Sequence, residues 1–294
     1  MLIKHLNYLV ALDRAKHFGR AAAECKVSQP SLSAAIRQLE IELDVPIVER
    51  GQRFQGFTQE GKVVLAWARQ ILSDCDRMNQ ELESMSKGLS GRLRIGVVPT
   101  ALPAIGHISS QFHTKYPHVT IGLHSMTSAE IQAGLDNFEL DLGLTYLDNE
   151  PLAEVRSIPL YAERYYLLTG QPIQNVLGDT ITWTRAAKTP LCLLSADNQN
   201  RRIIDSIFRE LGCAPAIEVE ANSMTALAAH VQSGAWSTIV PKQFIDLMGL
   251  PKDARAYRLI EPDISHVRGF VIAKREPVSP LAQAMLSITL RVPE

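Results

Sequence analysis

SQPSLSAAIRQLE, residues 28–40, has the opening of a helix but an unusual surface for one that faces water. Ser28 can cap the first turn, and Pro30 suits that turn because its missing N–H needs no partner there. Leu32, Ile36, Leu39 and Leu43 recur at spacings of four, three and four, which places them on one buried stripe. The outward positions are Gln29, Ser31, Ser33, Ala34, Arg37 and Gln38. Solvent-facing helices usually carry long charged residues there, which favour helix and keep the surface soluble. So short and polar a face fits a helix lying in the major groove of DNA, where Gln pairs with adenine and Ser meets several base edges.

The flanks agree with that reading. Leu6, Leu9, Val10 and Leu12 mark a first amphipathic helix, and FGRAAAECKV (18–27) a second, short and Ala-rich. Downstream, VPIVERGQRFQGFTQEG brings Gly51 and Gly56 around a basic, aromatic loop that suits a two-stranded wing. Residues 1–58 therefore read as a helix-turn-helix with a wing, against the plainer alternative of a three-helix packing module. Arg20 and Arg37 would sit beside phosphates and fix register. Arg50 and Arg53 flank the wing, where an Arg can enter a narrow A/T-rich minor groove. Charge agrees weakly, with 8 Lys or Arg against 6 Asp or Glu in this segment.

From Thr58, a second candidate cap, to Lys87 there is no Pro, and the only Gly is Gly61 in the first turn. Val64, Ile71, Met78 and Met85 recur every seven residues, with Ala68, Cys75 and Leu82 four after the first three. That is a heptad seam on a helix of roughly 45 Å. Self-dimerisation through it is expected; packing onto the chain's own body is the alternative. After the Gly/Ser joint KGLSG the pattern changes to short apolar runs, LRIGVVP, VTIGLHSM, LDLGLTYL, YYLLTG, PLCLLS, STIVP and GFVIAK. Helical segments near 101–116, 128–137, 200–211 and 223–233 alternate with most of them, which argues for parallel sheets in an α/β body of two lobes.

In such sheets ligands bind beyond the carboxyl ends of strands, where helix N-termini offer free N–H groups to anions. The loops so placed carry Thr100 and Ala101, Thr127 and Ser128, Tyr146, then Asn198, Asn200 and Arg202, with Trp236 and Val240-Pro241 as the remaining wall. Thr127 and Ser128 have a plain alternative as helix caps, and Arg202 as a surface or lobe–lobe ion pair. Hydroxyls, amides and helix N-termini together favour a small carboxylate or similar anion.

FGRAAAECKVSQPSLSAAIRQLEIELDVPIVERGQRFQGFTQEGK, in wording and spacing, resembles the winged helix-turn-helix of LysR-type transcriptional regulators, and the similarity runs on through the rest of the chain. The resemblance implies a winged helix-turn-helix domain (1–58), a linker and dimerisation helix with hinge (59–91), and an effector-binding domain (92–294). That last domain would resemble type II periplasmic binding proteins, with lobe I at 92–160 and 267–294 and lobe II at 161–266. It implies a homodimer, usually assembled into a homotetramer, bound to an operator inverted repeat in double-stranded DNA, with RNA polymerase a further partner. Carried over by position, Ser28, Gln29, Pro30, Ser31, Ser33 and Arg53 would contact DNA, with Arg20 and Arg37 near the backbone. Many members have Arg directly after the equivalent of Ser33, where this chain has Ala34, so a base or phosphate contact is missing. RFQGFTQEG, ALPAIG, FELDLGLTYLDNEPL and NQNRRIID are also similar to a subgroup found beside formate dehydrogenase genes, which implies control of formate or one-carbon metabolism.

Composition narrows the classes. With a formal net charge of −1 over 294 residues, any affinity for DNA must come from a local patch. The four cysteines, Cys25, Cys75, Cys192 and Cys213, form no CxxC pair, as in a reduced cytosolic protein. HLNYLVALDRA is too short and too soon charged for a secretory segment, and no apolar run of about 18 residues exists, so a cytoplasmic protein without membrane contact is expected. GQRFQGFT has the glycines of a P-loop, but Phe57 stands where the phosphate-binding Lys is needed. GxSxG and HExxH are missing, and the histidines lack ligand spacing. No catalytic residue, cofactor or metal is expected. The alternative function is a thiol-based redox regulator of the same fold. Cys192 reads as a small core residue and Cys213 as more exposed, with nothing basic adjoining it. A solute-binding protein would account for the body alone, without the DNA-reading head.

Overall fold

In the computed structural model, which describes residues 1–49, 51, 54–176, 178–250 and 253–289 (side chains of residues 86 and 87 excepted), contacts divide the chain into two units, Met1–Gly88 and Leu89–Glu294. The first unit is built from α1 (Ile3–Ala15), α2 (Phe18–Glu24), α3 (Gln29–Leu43) and α4 (Gln59–Lys87). Each of the last three has a side-chain cap. His17 Nδ1 accepts the N–H of Gly19 and Arg20, Ser28 Oγ that of Ser31 at 3.3 Å, and Thr58 Oγ1 that of Gly61 at 2.8 Å. Substituting such caps by Ala typically costs about 1 kcal/mol. Leu32, Ile36 and Leu39 of α3 lie wholly buried with Leu6, Leu9 and Leu12 of α1, Ala21 and Ala22 of α2, and Leu65 and Ala68 of α4.

The expected two-stranded wing follows α3. Among the described residues it is a single antiparallel bridge, Val48 to Phe57, extended by the Glu49 N–H donating to Gly56 O at 3.1 Å. Glu40 anchors it to α3, accepting the N–H of Ile47 at 2.8 Å and Val48 at 3.1 Å through one carboxylate oxygen. Gly61 lets α4 begin directly against this backbone, since a Cβ there would lie 2.0 Å from Ile47 O. Along the 29 residues of α4 the heptad seam divides. Ala68 is buried and Val64 and Ile71 pack on the three-helix core, whereas Met78, Leu82 and Met85 are 56%, 59% and 81% exposed.

The second unit contains β1 (Gly91–Val97), α5 (Leu102–Lys115), β2 (Val119–Ser125), α6 (Ser128–Asp136), β3 (Leu142–Tyr146) and β4 (Val155–Thr169). There follow β5 (Thr180–Thr182), α7 (Trp183–Ala186), β6 (Leu191–Leu194), α8 (Gln199–Glu210) and β7 (Ile217–Ala221). It ends with α9 (Met224–Gln232), β8 (Ser237–Pro241), α10 (Lys242–Met248), β9 (Arg255–Ile260), β10 (Ser265–Ala273) and α11 (Pro280–Thr289). The strands run β2-β1-β3-β10-β4-β8-β6-β7, with β9 and β5 branching from β4. β1 pairs parallel with β2 and β3, and β6 parallel with β7, as expected.

The expectation of parallel sheets needs one correction. β10 is antiparallel to both β3 and β4, and β4 is antiparallel to β8 and β9. β4 also serves two sheets, pairing with β10 over Val155–Arg164 and with β8 and β9 from Tyr165 onward. Its first half mixes Arg156, Ser157, Glu163 and Arg164 among apolar residues, which hid it from the pattern. A β-bulge at Arg268/Gly269 adjusts β10 where the two sheets meet. Gly269 is needed there because a Cβ would lie 2.3 Å from Ile158 O. The first sheet packs Leu93, Ile95, Val97, Phe112, Leu144, Phe270 and Met285 into one core, and the second has a core on each face.

Candidate functional site

α3 presents the surface that its sequence suggested. Ser28, Gln29, Pro30, Ser31 and Arg37 are exposed and Ser33 half-buried, so all but one are open to a partner. Ser28 and Ser31 hydroxyls lie 2.8 Å apart, tying the first turn together. Arg20 is exposed on α2 with its guanidinium held by Ala15 O at 2.7 Å, which aims it without neutralising it. Several acids of this unit are already engaged, although Glu40, Asp44 and Glu49 line the same groove as Gln29, Ser33 and Arg37. Glu40 is committed to the wing backbone, Asp13 to Arg69 and Lys16, Glu24 to Arg14, and Glu42 to the N-terminal ammonium. Arg53, and with it Arg50, lies outside the described residues.

In the second unit the structure gathers five of the sequence-named residues, some through partners that the sequence did not announce. Thr100 and Ala101 open the short turn before α5 and are buried, as are Ser128 at the start of α6, Tyr146 at the end of β3 and Asn198 before α8. At the centre is Arg268 of β10, wholly buried and paired with the equally buried Glu163 of β4. Its Nε donates to Glu163 Oε2 at 2.9 Å and its Nη2 to Oε1 at 2.7 Å. Nη2 also donates to the Thr100 hydroxyl, and the guanidinium carbon lies 3.1 Å from the centroid of the Tyr146 ring. Burial pushes the Tyr146 hydroxyl far above its ordinary pKa, so it stays protonated and donates to Glu163 Oε1 at 3.3 Å.

The first turn of α8 joins this centre from the second sheet. Asn200 Nδ2 donates to the Tyr146 hydroxyl at 3.0 Å. The Gln199 amide meets the Ser128 hydroxyl and the Asn149 carbonyl, and Ser128 lies 3.2 Å from the Thr145 hydroxyl. Arg202 forms an ion pair with Glu150, Nε to Oε1 at 2.9 Å, and this guanidinium holds the Glu150 carboxyl below its usual pKa. Arg202 is therefore the lobe–lobe ion pair of the plainer reading. Asn198 does not cap α8; its amide donates to Ser195 and Asp197, leaving the first-turn N–H groups without a side-chain cap.

Two residues depart from the expected wall. Thr127 spends its side chain on a capping box, accepting the Glu130 N–H at 3.2 Å while Glu130 accepts the Thr127 N–H at 2.8 Å. Trp236 is not brought to the cluster. Its indole N–H donates to Glu218 at 3.0 Å and its ring meets His230 at 5.4 Å on the opposite face of the second sheet, beside Cys192 and Val240. It lies just before β8 and packs with the core on that face, whereas Tyr165 and Trp183 belong to the core of the other. Sequence reading missed Arg268, Glu163 and Gln199. The available signal was a lone Arg before the apolar run GFVIA and a lone Glu before RYYLL, where charge in a core strand demands a partner.

Residues 3–62 match the family model described as bacterial regulatory helix-turn-helix protein, lysR family, and residues 86–293 match that of the LysR substrate binding domain. The hydrogen peroxide-inducible genes activator of a strain of Escherichia coli is 31% identical over 242 residues, 82% of this chain and 79% of that protein. A full-length OxyR variant from Pseudomonas aeruginosa superposes with a TM-score of 0.78 at 23% identity, covering 99% of this chain and 95% of that one. Full-length CbnR complexed with its target DNA gives 0.70 at 22% identity, covering 99% of both. No helix among the described residues is long and apolar enough to cross a membrane. With both family models matched in order and together spanning nearly the whole sequence, the chain belongs to the LysR family of transcriptional regulators, with a DNA-binding head and an effector-binding body.

Proposed function

We propose that this regulator is switched by a small carboxylate or similar anion at the cluster between the two sheets of its body, and that it acts as a dimer or as a tetramer made of two dimers. The observation that carries the switch is the first turn of α8, which reaches from the second sheet to Ser128, Asn149 and Tyr146 of the first. A ligand that replaces any of these contacts changes how the two sheets are held, and it shifts the balance only by its differential affinity for the two arrangements. On the DNA side, Gln29 and Ser33 read base edges while Arg20 and Arg37 hold phosphates. The open half of the α4 seam, Met78, Leu82 and Met85, takes a second copy of the helix. No catalytic role is proposed for any residue.

A thiol switch is the second reading, because relatives at 31% identity are named for hydrogen peroxide. The one buried thiol does not favour it. Cys192 is buried and its pKa is pushed up to about 11 by desolvation, the reverse of what a reactive thiolate needs. Control of formate or one-carbon genes draws no support from these relatives. A nuclease footprint on the DNA upstream of the chain's own gene and its neighbour, with a panel of small acids including formate and with peroxide, separates the readings. One acid altering a long footprint supports the effector switch; a response to peroxide alone replaces it with the thiol switch.

A further inference from the structure

Where β4 and β10 meet, three buried donors have no acceptor among the described residues, Nη1 of Arg268 and the hydroxyls of Tyr161 and Tyr165, the first two on facing positions. Tyr161 and Arg268 are cross-strand partners in the β4/β10 register, so their side chains leave the same face from Cβ atoms about 5 Å apart. Glu163, two residues on and on that face, takes the opposite edge of the guanidinium. Unmet buried donors are rare in native proteins and mark water, an ion or a ligand. Arg268 can only donate and the Tyr161 hydroxyl has its proton free to give, so the pair suits a group rich in acceptors, and an ionised carboxylate with two oxygens is such a group.

The charge count adds a condition. Arg268 and Glu163 neutralise each other in a site that both occupy with no exposure to water. A second carboxylate would leave one excess negative charge there, and two carboxylates sharing one site do not both stay ionised. We propose that the effector carboxylate binds Arg268 Nη1 and the Tyr161 hydroxyl and enters with one proton from solvent, shared between it and Glu163. No covalent bond changes, and the site remains neutral before and after. The proposal rests on the effector reading given above. Its neighbours are Arg268 and His266 on β10, Tyr161 and Tyr165 on β4, Tyr146 on β3, and Asn200 of α8 through Tyr146. His266 is the other group that could supply a pH response, since it faces Tyr146 and Tyr165 and pairs with Asp148.

Titration calorimetry of the full-length protein with acetate, and with acetamide as its neutral counterpart, tests this. Between pH 6.5 and 8.5 the acetate Kd should rise about tenfold per pH unit, the signature of one proton taken up, while acetamide shows no such slope. Buffers of different ionisation enthalpy should report the same single proton in the heat of binding. Glu163→Gln should flatten the acetate slope and tighten binding at pH 8, and Tyr161→Phe should weaken acetate several-fold at every pH. Acetate binding that is independent of pH overturns the shared proton and leaves the effector switch standing. A slope that survives in Glu163→Gln assigns the proton to another group, His266 first, and equally overturns it. Failure of acetate to bind at any pH removes the carboxylate site itself. Should Glu163→Gln fail to fold, the wild-type slope and the buffer dependence still decide.

Discussion

The Arg268–Glu163 pair offers a sharp energetic test, because both side chains have no exposure and, among the described residues, each is the other's only counter-charge. Removing one member of a buried pair costs about 3–5 kcal/mol, since it strands the other charge out of water. The two single variants should differ within that range. In Glu163→Leu the guanidinium cannot deprotonate, and its remaining contacts, Thr100 and the Tyr146 face, carry no charge; about 4–5 kcal/mol is expected. In Arg268→Leu the stranded carboxyl escapes by taking a proton, so about 3 kcal/mol is expected. The double variant removes both desolvation penalties and should cost no more than about 2 kcal/mol. For a unit of this size 1 kcal/mol shifts Tm by about 2–4 °C, so the Glu163→Leu chain should melt roughly 10 °C or more below the parent. Thermal unfolding by circular dichroism of the parent, both single variants and the double variant completes the cycle. Arg268→Leu carries a further signature. Its lone buried carboxyl should have a folded pKa raised above the unfolded value, so the stability that this group contributes is fully present below about pH 4 and is lost as pH rises through the folded value. A double variant as unstable as the sum of the singles would refute the pairing energy argued here.

Gln29→Ala should weaken operator binding by about 1–3 kcal/mol while leaving binding to random DNA unchanged; equal losses on both would remove Gln29 from base reading. Met78→Glu with Leu82→Glu should convert the dimer to monomer in sedimentation, because charge placed on the open half of the seam faces its own copy, and an unchanged sedimentation coefficient would show that the seam is not the interface. Arg202 holds Glu150 below its usual pKa, so their pairing stabilises above the unfolded carboxyl value near pH 4 and fades as pH falls through the lowered folded value. Glu150→Gln should accordingly flatten part of the acid-unfolding curve, and an identical curve would show that the pair adds nothing.

The first unit was largely legible because its signals are local. A cap, a proline in the first turn and an apolar spacing of three and four specify α3 within 16 residues, and short-range sterics enforce them whatever the rest of the chain does. The heptads of α4 were equally plain, but not their division: Ala68 became core of its own head while Met85 stayed open, and only the packed structure sets where one helix's own core ends. The wing's antiparallel bridge was foreshadowed by its glycines, but its anchoring to α3 through Glu40 was not, since that contact joins residues seven and eight apart across a turn.

In the body, periodicity found most core strands and missed β5, β7, β9 and the polar half of β4, because strands that are short or mixed with charge carry no clean alternation. Helix-start and strand-end logic reached Thr100, Ser128 and Tyr146, yet it misplaced Trp236, which packs in the core on the other face of the second sheet. Sequence alone determined the class of this protein, a DNA-reading head joined to an α/β body, since caps, turns and periodicities act over a few residues. The charged centre was decided by tertiary structure. Thr100, Tyr146, Glu163, Asn200 and Arg268 are scattered over 168 positions of chain, and what selects them as partners is the desolvation that only their shared burial brings.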